Sequence, residues 1–219
     1  MSPYRNRYRR ELNDLKILTE NLANLVSSTI DFSVQALMES NIDLAKKVIQ
    51  GDQEADDLSQ EIETLCMELL ALQQPMAKDL RRIIGVLKIS IDLERLGDLA
   101  VDIARSVIQS KQGIDMDDLE HIPRMAKISR RMLSQAMEAL MNNDADMARQ
   151  ATKWDYEIDG LYVKGRDKLL KIVIENPEII NEAISLLMVN RHLERIGDHI
   201  CNICESIVYM VEAKREHLN

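Results

Sequence analysis

Aromatic side chains are nearly missing from this chain, which has one Trp, one Phe and five Tyr among 219 residues. Its core must therefore be aliphatic and Met-based, a composition that suits helices packed on helices. Turn formers are equally scarce, with seven Gly and four Pro. Few turns leave long elements between them, so we expect an all-α protein. Only three cysteines are present, too few and too odd a number for a disulfide framework, and a fit to a reducing compartment. No window contains 18 consecutive apolar residues, which argues against a membrane-spanning helix. No apolar run follows the charges at the N-terminus, so no signal peptide is expected. Basic charge is in deficit: 28 Lys and Arg stand against 37 Asp and Glu, a net charge of −9, whereas a nucleic-acid binder needs a basic face. Together these absences point to a cytoplasmic helical protein.

What the chain has instead is one stretch written twice. Asp92-Leu93-Glu94-Arg95-Leu96-Gly97-Asp98 returns 100 residues later as His192-Leu193-Glu194-Arg195-Ile196-Gly197-Asp198. In each copy a Glu and an Asp stand four residues apart, about one helical turn, and so share a face. Like charges at that spacing destabilise an isolated helix by roughly a few tenths of a kcal/mol. Each copy also carries a helix-weakening Gly. A doubled pattern that works against its own helix asks for a function.

Around these motifs the apolar spacing predicts six long helices. The first spans roughly residues 4–39 on a seam through Leu15, Leu18, Leu22, Leu25, Thr29, Phe32 and Ala36. Its first turns carry Arg5, Arg7, Arg9 and Arg10, either a solvated helix start or a basic contact for an acidic partner or membrane surface. Asn41 or Ser40 caps a second helix, whose seam runs unbroken from Leu44 through Val48, Gly51, Ala55, Leu58 and Ile62 to Leu72. Its narrowing at Gly51 and Ala55 would admit a neighbouring backbone, and Asp52 and Asp56 lie beside it. Pro75 suits the first turn of a third helix reaching about Ser110. On that helix Glu94, Asp98 and Asp102 fall opposite the local apolar stripe and face an outer groove. After a linker at 112–118 the pattern recurs. A fourth helix runs on Ile122, Ala126, Ser129 and Leu133, a fifth on Met147, Ala151, Trp154 and Ile158, and a sixth from near Pro177 on Leu186, Val189, Leu193 and Ile196.

Laid over each other, the halves match acid for acid. Asp52 and Asp56 correspond to Asp155 and Asp159, Glu94 and Asp98 to Glu194 and Asp198, and Asp102 to Asn202. We expect a tandem repeat of two three-helix bundles, residues 1–112 and 113–219. Clustered carboxylates repel unless a cation sits among them. All-oxygen ligands suit magnesium, manganese and calcium, and also iron or zinc. Two plainer readings compete: solvated helix faces, or acids neutralised by Arg95 and Arg195. Cys201-x-x-Cys204 lacks the second pair that a structural zinc wants. Its counterparts are Val101 and Ala104, so these cysteines read as buried and structural, and His192 and His199 read as surface residues. A di-iron oxidase would need Glu-x-x-His pairs facing a bundle core, which these acids lack. Neither a nucleophile constellation nor a glycine-rich phosphate loop is present.

At these residues the chain resembles the PhoU family of bacterial phosphate-signalling proteins. The likeness rests on Leu69-Leu70-Ala71-Leu72-Gln73-Gln74-Pro75, on Ala77-Lys78-Asp79-Leu80-Arg81, and on the Glu-Arg-x-Gly-Asp blocks at 94–98 and 194–198, and it extends over nearly the whole chain. The resemblance implies tandem three-helix bundles with one surface metal cluster per repeat. The first would use Asp52, Asp56, Glu94, Asp98 and Asp102. The second would use Asp155, Asp159, Glu194 and Asp198, with Asn202 offering an amide where the first has an acid. The metal would be iron, zinc, manganese or magnesium. The implied role is regulation of high-affinity phosphate uptake, linking phosphate ABC transporter components to a membrane sensor histidine kinase. Such a protein represses phosphate-starvation genes when phosphate is plentiful and reaches the inner face of the membrane through its partners; a homodimer stays open. From the residues themselves three readings remain: a non-enzymatic metal-binding regulator, a metal-dependent enzyme on a phosphorylated substrate, and a plain helical scaffold. The enzyme reading lacks a paired His to act as general base.

Overall fold

A computed structural model describes residues 3–109, 114 and 116–218. Among them there is no strand, and there are six long α-helices and two short ones. These are α1 (Pro3–Met38), α2 (Ile42–Gln50), α3 (Asp52–Gln73), α4 (Ala77–Gln109), α5 (His121–Asn142), α6 (Ala145–Thr152), α7 (Asp155–Glu175) and α8 (Ile180–Glu212). The first bundle packs α1, α3 and α4 with α2 at one end; the second repeats this with α5, α7, α8 and α6. Fully buried Leu22, Ile62, Ile89 and Leu96 fill the first, and Met125, Ile158, Ile196 and Ile200 the second. The expected aliphatic and Met-based core is therefore present.

The largest helix–helix contact joins the two halves, α4 against α8. The pair is antiparallel: Gly85 lies against Met210, and Asp92 against His199 and Asn202. A second contact, α1 with α5, is tied by Lys16 Nζ donating to the Met141 carbonyl at 2.9 Å and by an Arg130–Asp31 ion pair at 3.0 Å.

Several boundaries differ from the spacing-based expectation. The second helix breaks at Gly51, and the fifth breaks at Lys153 and Trp154. Gly51 has ψ −6°, and Lys153 and Trp154 have ψ −21° and −18°. These are flattened, 3₁₀-like turns that bend the helix without ending the apolar seam. Gly51 is exposed and meets only carbonyls of its own helix, so it is a bend and not a packing gap. Ala55 is the close-approach position, its Cβ 3.9 Å from where a Cβ on Gly97 would stand. Pro75 lies in a non-helical stretch, and α4 begins at Ala77. Pro177 opens a 3₁₀ turn ahead of α8. Of the expected linker at 112–118, residues 112, 113 and 115 fall outside the described residues, and a 3₁₀ turn, Met116–Leu119, begins within it.

Candidate metal centre

The bends decide where the acids go. Asp52 and Asp155 become first-turn residues of α3 and α7, where the helix macrodipole favours negative charge. One turn later come Asp56 and Asp159. Each bent helix packs on its long partner, α3 on α4 and α7 on α8, which brings the Glu-x-x-x-Asp pair alongside.

Mutual electrostatics show the grouping. In the first bundle, partial burial raises the carboxyl pKa of Asp52, and Asp56 and Asp98 add to the rise. Burial likewise raises that of Glu94, helped by Asp98, opposed by Arg95, and helped again by Asp56 and Asp52. In the second bundle Asp155 is pushed up to about 7, first by burial and then by Asp159 and Asp198, with a hydrogen bond from the Cys201 thiol pulling the other way. Burial and Asp198 also raise Asp159 and Glu194. Eight acids thus form two groups of four, each spanning a helix pair.

The two groups are not equivalent. Asp155 is only 4% exposed, whereas Asp52 is half-buried. A Cβ on Gly197 would collide with Asp155 Oδ1 and come within 3.2 Å of Ile158 Cδ1. Gly97 faces only ordinary contacts, 3.8 Å to Val26 and 3.9 Å to Ala55. Asp155 Oδ2 and Glu194 Oε2 are buried with no hydrogen-bond partner. The expectation that all the acids face outward is corrected at Asp155, which lies beneath Gly197 in the helix–helix seam.

Arginines hold part of each group. Arg95 reaches Asp98 at 2.9 Å and Glu94 at 3.6 Å. In the second bundle the cation on Glu194 is Arg191, where Arg195 was expected; its i, i+3 spacing was a readable signal. Arg95 and its two acids are part-exposed, and such an ion pair contributes about 0–1 kcal/mol, so a metal could displace it; Arg191 is exposed, but its partner Glu194 is mostly buried. Asp102 pairs with Arg105 at 2.7 Å. Asn202 turns its amide toward Asp92 at 3.5 Å. Among the described residues, no three His, Cys, Asp or Glu side chains converge on one ion-sized point.

The histidines are not the surface residues expected. His199 Nδ1 lies 2.9 Å from Asp92 Oδ1. His192 is half-buried with its Nδ1 unpartnered, and burial lowers its pKa. Both belong to the α4–α8 seam. Cys66, Cys201 and Cys204 are free and buried, as expected. The roles of Asp92 and Cys201 were missed, since both depend on which helices meet.

An all-oxygen donor set with two orphaned buried oxygens fits a hard or borderline cation at the second group. The first group offers the same donor types, with its oxygens more open to water.

The family model described as the PhoU domain matches this chain twice, at residues 19–107 and 122–207. A Clostridium acetobutylicum protein described as a phosphate-specific transport system accessory protein PhoU homolog is 33% identical over 213 residues, covering 97% of each chain. An Aquifex aeolicus protein with the same description is 35% identical over 95% of this chain and 96% of its own. The crystal structure of PhoU from Pseudomonas aeruginosa superposes with a TM-score of 0.87 at 31% identity, over 94% of this chain and 100% of that one. That of the phosphate transport system regulatory protein PhoU from Streptococcus pneumoniae gives 0.88 at 30% identity, over 95% and 99%. With both repeats matched and relatives of this identity aligned end to end, the chain belongs to the PhoU family.

Proposed function

We propose that this chain is a non-catalytic accessory regulator of phosphate transport that carries metal ions on its two acid groups. The names of its relatives support the transport role. The observation that carries the metal reading is the pair of buried, unpartnered carboxylate oxygens on Asp155 and Glu194. Asp52, Asp56, Glu94 and Asp98 would hold one site, and Asp155, Asp159, Glu194 and Asp198 the other, with Asp102 and Asn202 at their margins. The identity of the metal stays among iron, zinc, manganese and magnesium. A bound cation would neutralise each group and fix the angle between the bent helix and its long partner. The chain's own residues then present a defined acidic face to phosphate ABC transporter components and to a sensor histidine kinase at the inner membrane face, lowering phosphate-starvation gene expression when phosphate is plentiful. No helix of the described residues is long and apolar enough to cross a membrane, so this contact runs through partners. The non-catalytic reading is supported by His192 and His199, which face the α4–α8 seam, His199 against Asp92 and His192 in the field of Asp102 alone among the named acids.

Elemental analysis of the purified full chain tests the metal. We expect stoichiometric iron, zinc or manganese, reduced by about half in the Glu94→Ala/Asp98→Ala variant with helix content unchanged. Metal-free protein after expression in metal-replete medium would return the acids to a plain solvated face. Deletion should derepress phosphate-responsive transcription; unchanged transcription and uptake would remove the regulatory role.

A further inference from the structure

Between α1 and α3 runs an open groove of about 770 Å³, lined only by those two helices. Leu18 and Leu65 form its floor with Ile17, which is 47% exposed. Its rim is Asp14, Asp57, Glu61 and Glu68, with no Lys or Arg in the lining. Asp57 accepts a hydrogen bond from Gln53 Nε2 at 2.9 Å, and Glu68 lies in the field of Arg7. Asp14, Asp57 and Glu61 have no ion pair among the described residues.

The second bundle has the equivalent groove between α5 and α7, and it is a different object. It measures about 240 Å³. Lys164 and Lys168 stand where Glu61 and Leu65 stand 103 positions earlier. Two of its three Lys and Arg side chains are already used, Lys168 on Asp118 at 3.0 Å and Arg124 on Glu157. One duplicated groove is thus narrow and lined by charges of both signs, while the other is wide, apolar-floored and rimmed by acid alone.

We propose that the α1–α3 groove receives a basic amphipathic helix from a partner protein. The acids from Asp57 to Glu68 extend over roughly 16 Å, about three helical turns. A helix of that length would lay an apolar ridge on Ile17, Leu18 and Leu65 and set Lys or Arg against the rim, the helix-in-groove mode with complementary charge. The acidic rim excludes nucleic acid and anionic lipid. A second copy is disfavoured because it brings its own net charge of −9, and its Arg7 is already paired with Glu11. The inference is independent of the proposed metal sites, which lie between α3 and α4 and between α7 and α8.

The test uses the full-length protein and a fluorescent peptide of about fourteen residues with Leu and Lys at helical spacing, plus its Leu/Glu counterpart, at about 0.15 M salt. We expect the Leu/Lys peptide to bind and the Leu/Glu peptide not to. Asp57→Lys/Glu61→Lys should weaken binding about tenfold or more. Ile17→Ser should weaken it about threefold, and the milder Glu61→Gln about twofold, with circular dichroism confirming fold. The remote Glu175→Lys/Glu178→Lys variant makes the same charge change and should alter binding by less than about twofold. Equal weakening by both double Lys variants, or no binding by the unmodified protein, would overturn the proposal. So would self-association of the unmodified protein that Asp57→Lys/Glu61→Lys abolishes, since the occupant would then be a second copy.

Discussion

A carboxylate as buried as that of Asp155, with one oxygen unpartnered, destabilises a metal-free fold when it ionises. Its pKa is raised in the fold, to about 7. The stability linked to it is therefore fully present below the unfolded value near 4 and is lost as pH rises through about 7. Asp155→Asn keeps the shape and removes the charge. We expect it to raise the melting temperature of metal-free protein at pH 8 and to abolish metal binding at the second group, read by calorimetry and elemental analysis on one sample. A variant that lost stability instead would make Asp155 a structural residue. The two motif glycines should also separate. Gly97→Ala meets only ordinary contacts and should stabilise by about 0.5–1 kcal/mol through helix propensity. Gly197→Ala collides with Asp155 and should destabilise by roughly 1–3 kcal/mol; thermal melts of the two variants decide it. The duplicated spacing was enough to group Asp155 with Asp159, Glu194 and Asp198. It could not tell that Asp155 is buried and Asp52 is not, because that depends on which atoms α8 and α4 bring across.

At the scale of the element, the short α2 and α6 rest on their N-caps. Asn41 Oδ1 accepts from the Leu44 amide at 3.0 Å, and Asp144 Oδ1 accepts from the Met147 amide at 2.9 Å. Asn41→Ala and Asp144→Ala should each lose about 1 kcal/mol in denaturant titrations, and the equal loss would show that the repeats share a capping logic as well as a seam. The Asn41 cap was readable because a polar residue precedes a regular apolar period. The bends were not. The seam from Leu44 to Leu72 continues through Gly51 without losing phase, and in the second repeat the bend occurs at Lys153 and Trp154 with no glycine. Apolar periodicity records which face is buried, and a 3₁₀-like turn preserves that face while redirecting the axis. The same bends carry Asp52 and Asp155 into first turns, so the part of the fold least visible in the pattern is the part that positions the acids.

Over the whole molecule, the two bundles share their largest contact. Met210 of α8 is buried against Gly85 of α4, and the Asp92–His199 pair is held between these helices. A half separated from its partner would expose this apolar contact and leave half-buried polar groups without their counterparts. We therefore expect the halves to unfold as one cooperative unit despite their repeat origin. The single Trp is Trp154, in the second half, with Arg131 stacked 3.8 Å over its ring, so its fluorescence reports that half alone. Circular dichroism reports both. In urea the two signals should trace one transition with a common midpoint. A circular dichroism curve that splits, with only one limb tracking Trp154, would mean that the α4–α8 seam joins two independently stable bundles. Metal at one group could then bias the other only weakly, since coupling needs an element that both sites hold in a shared state.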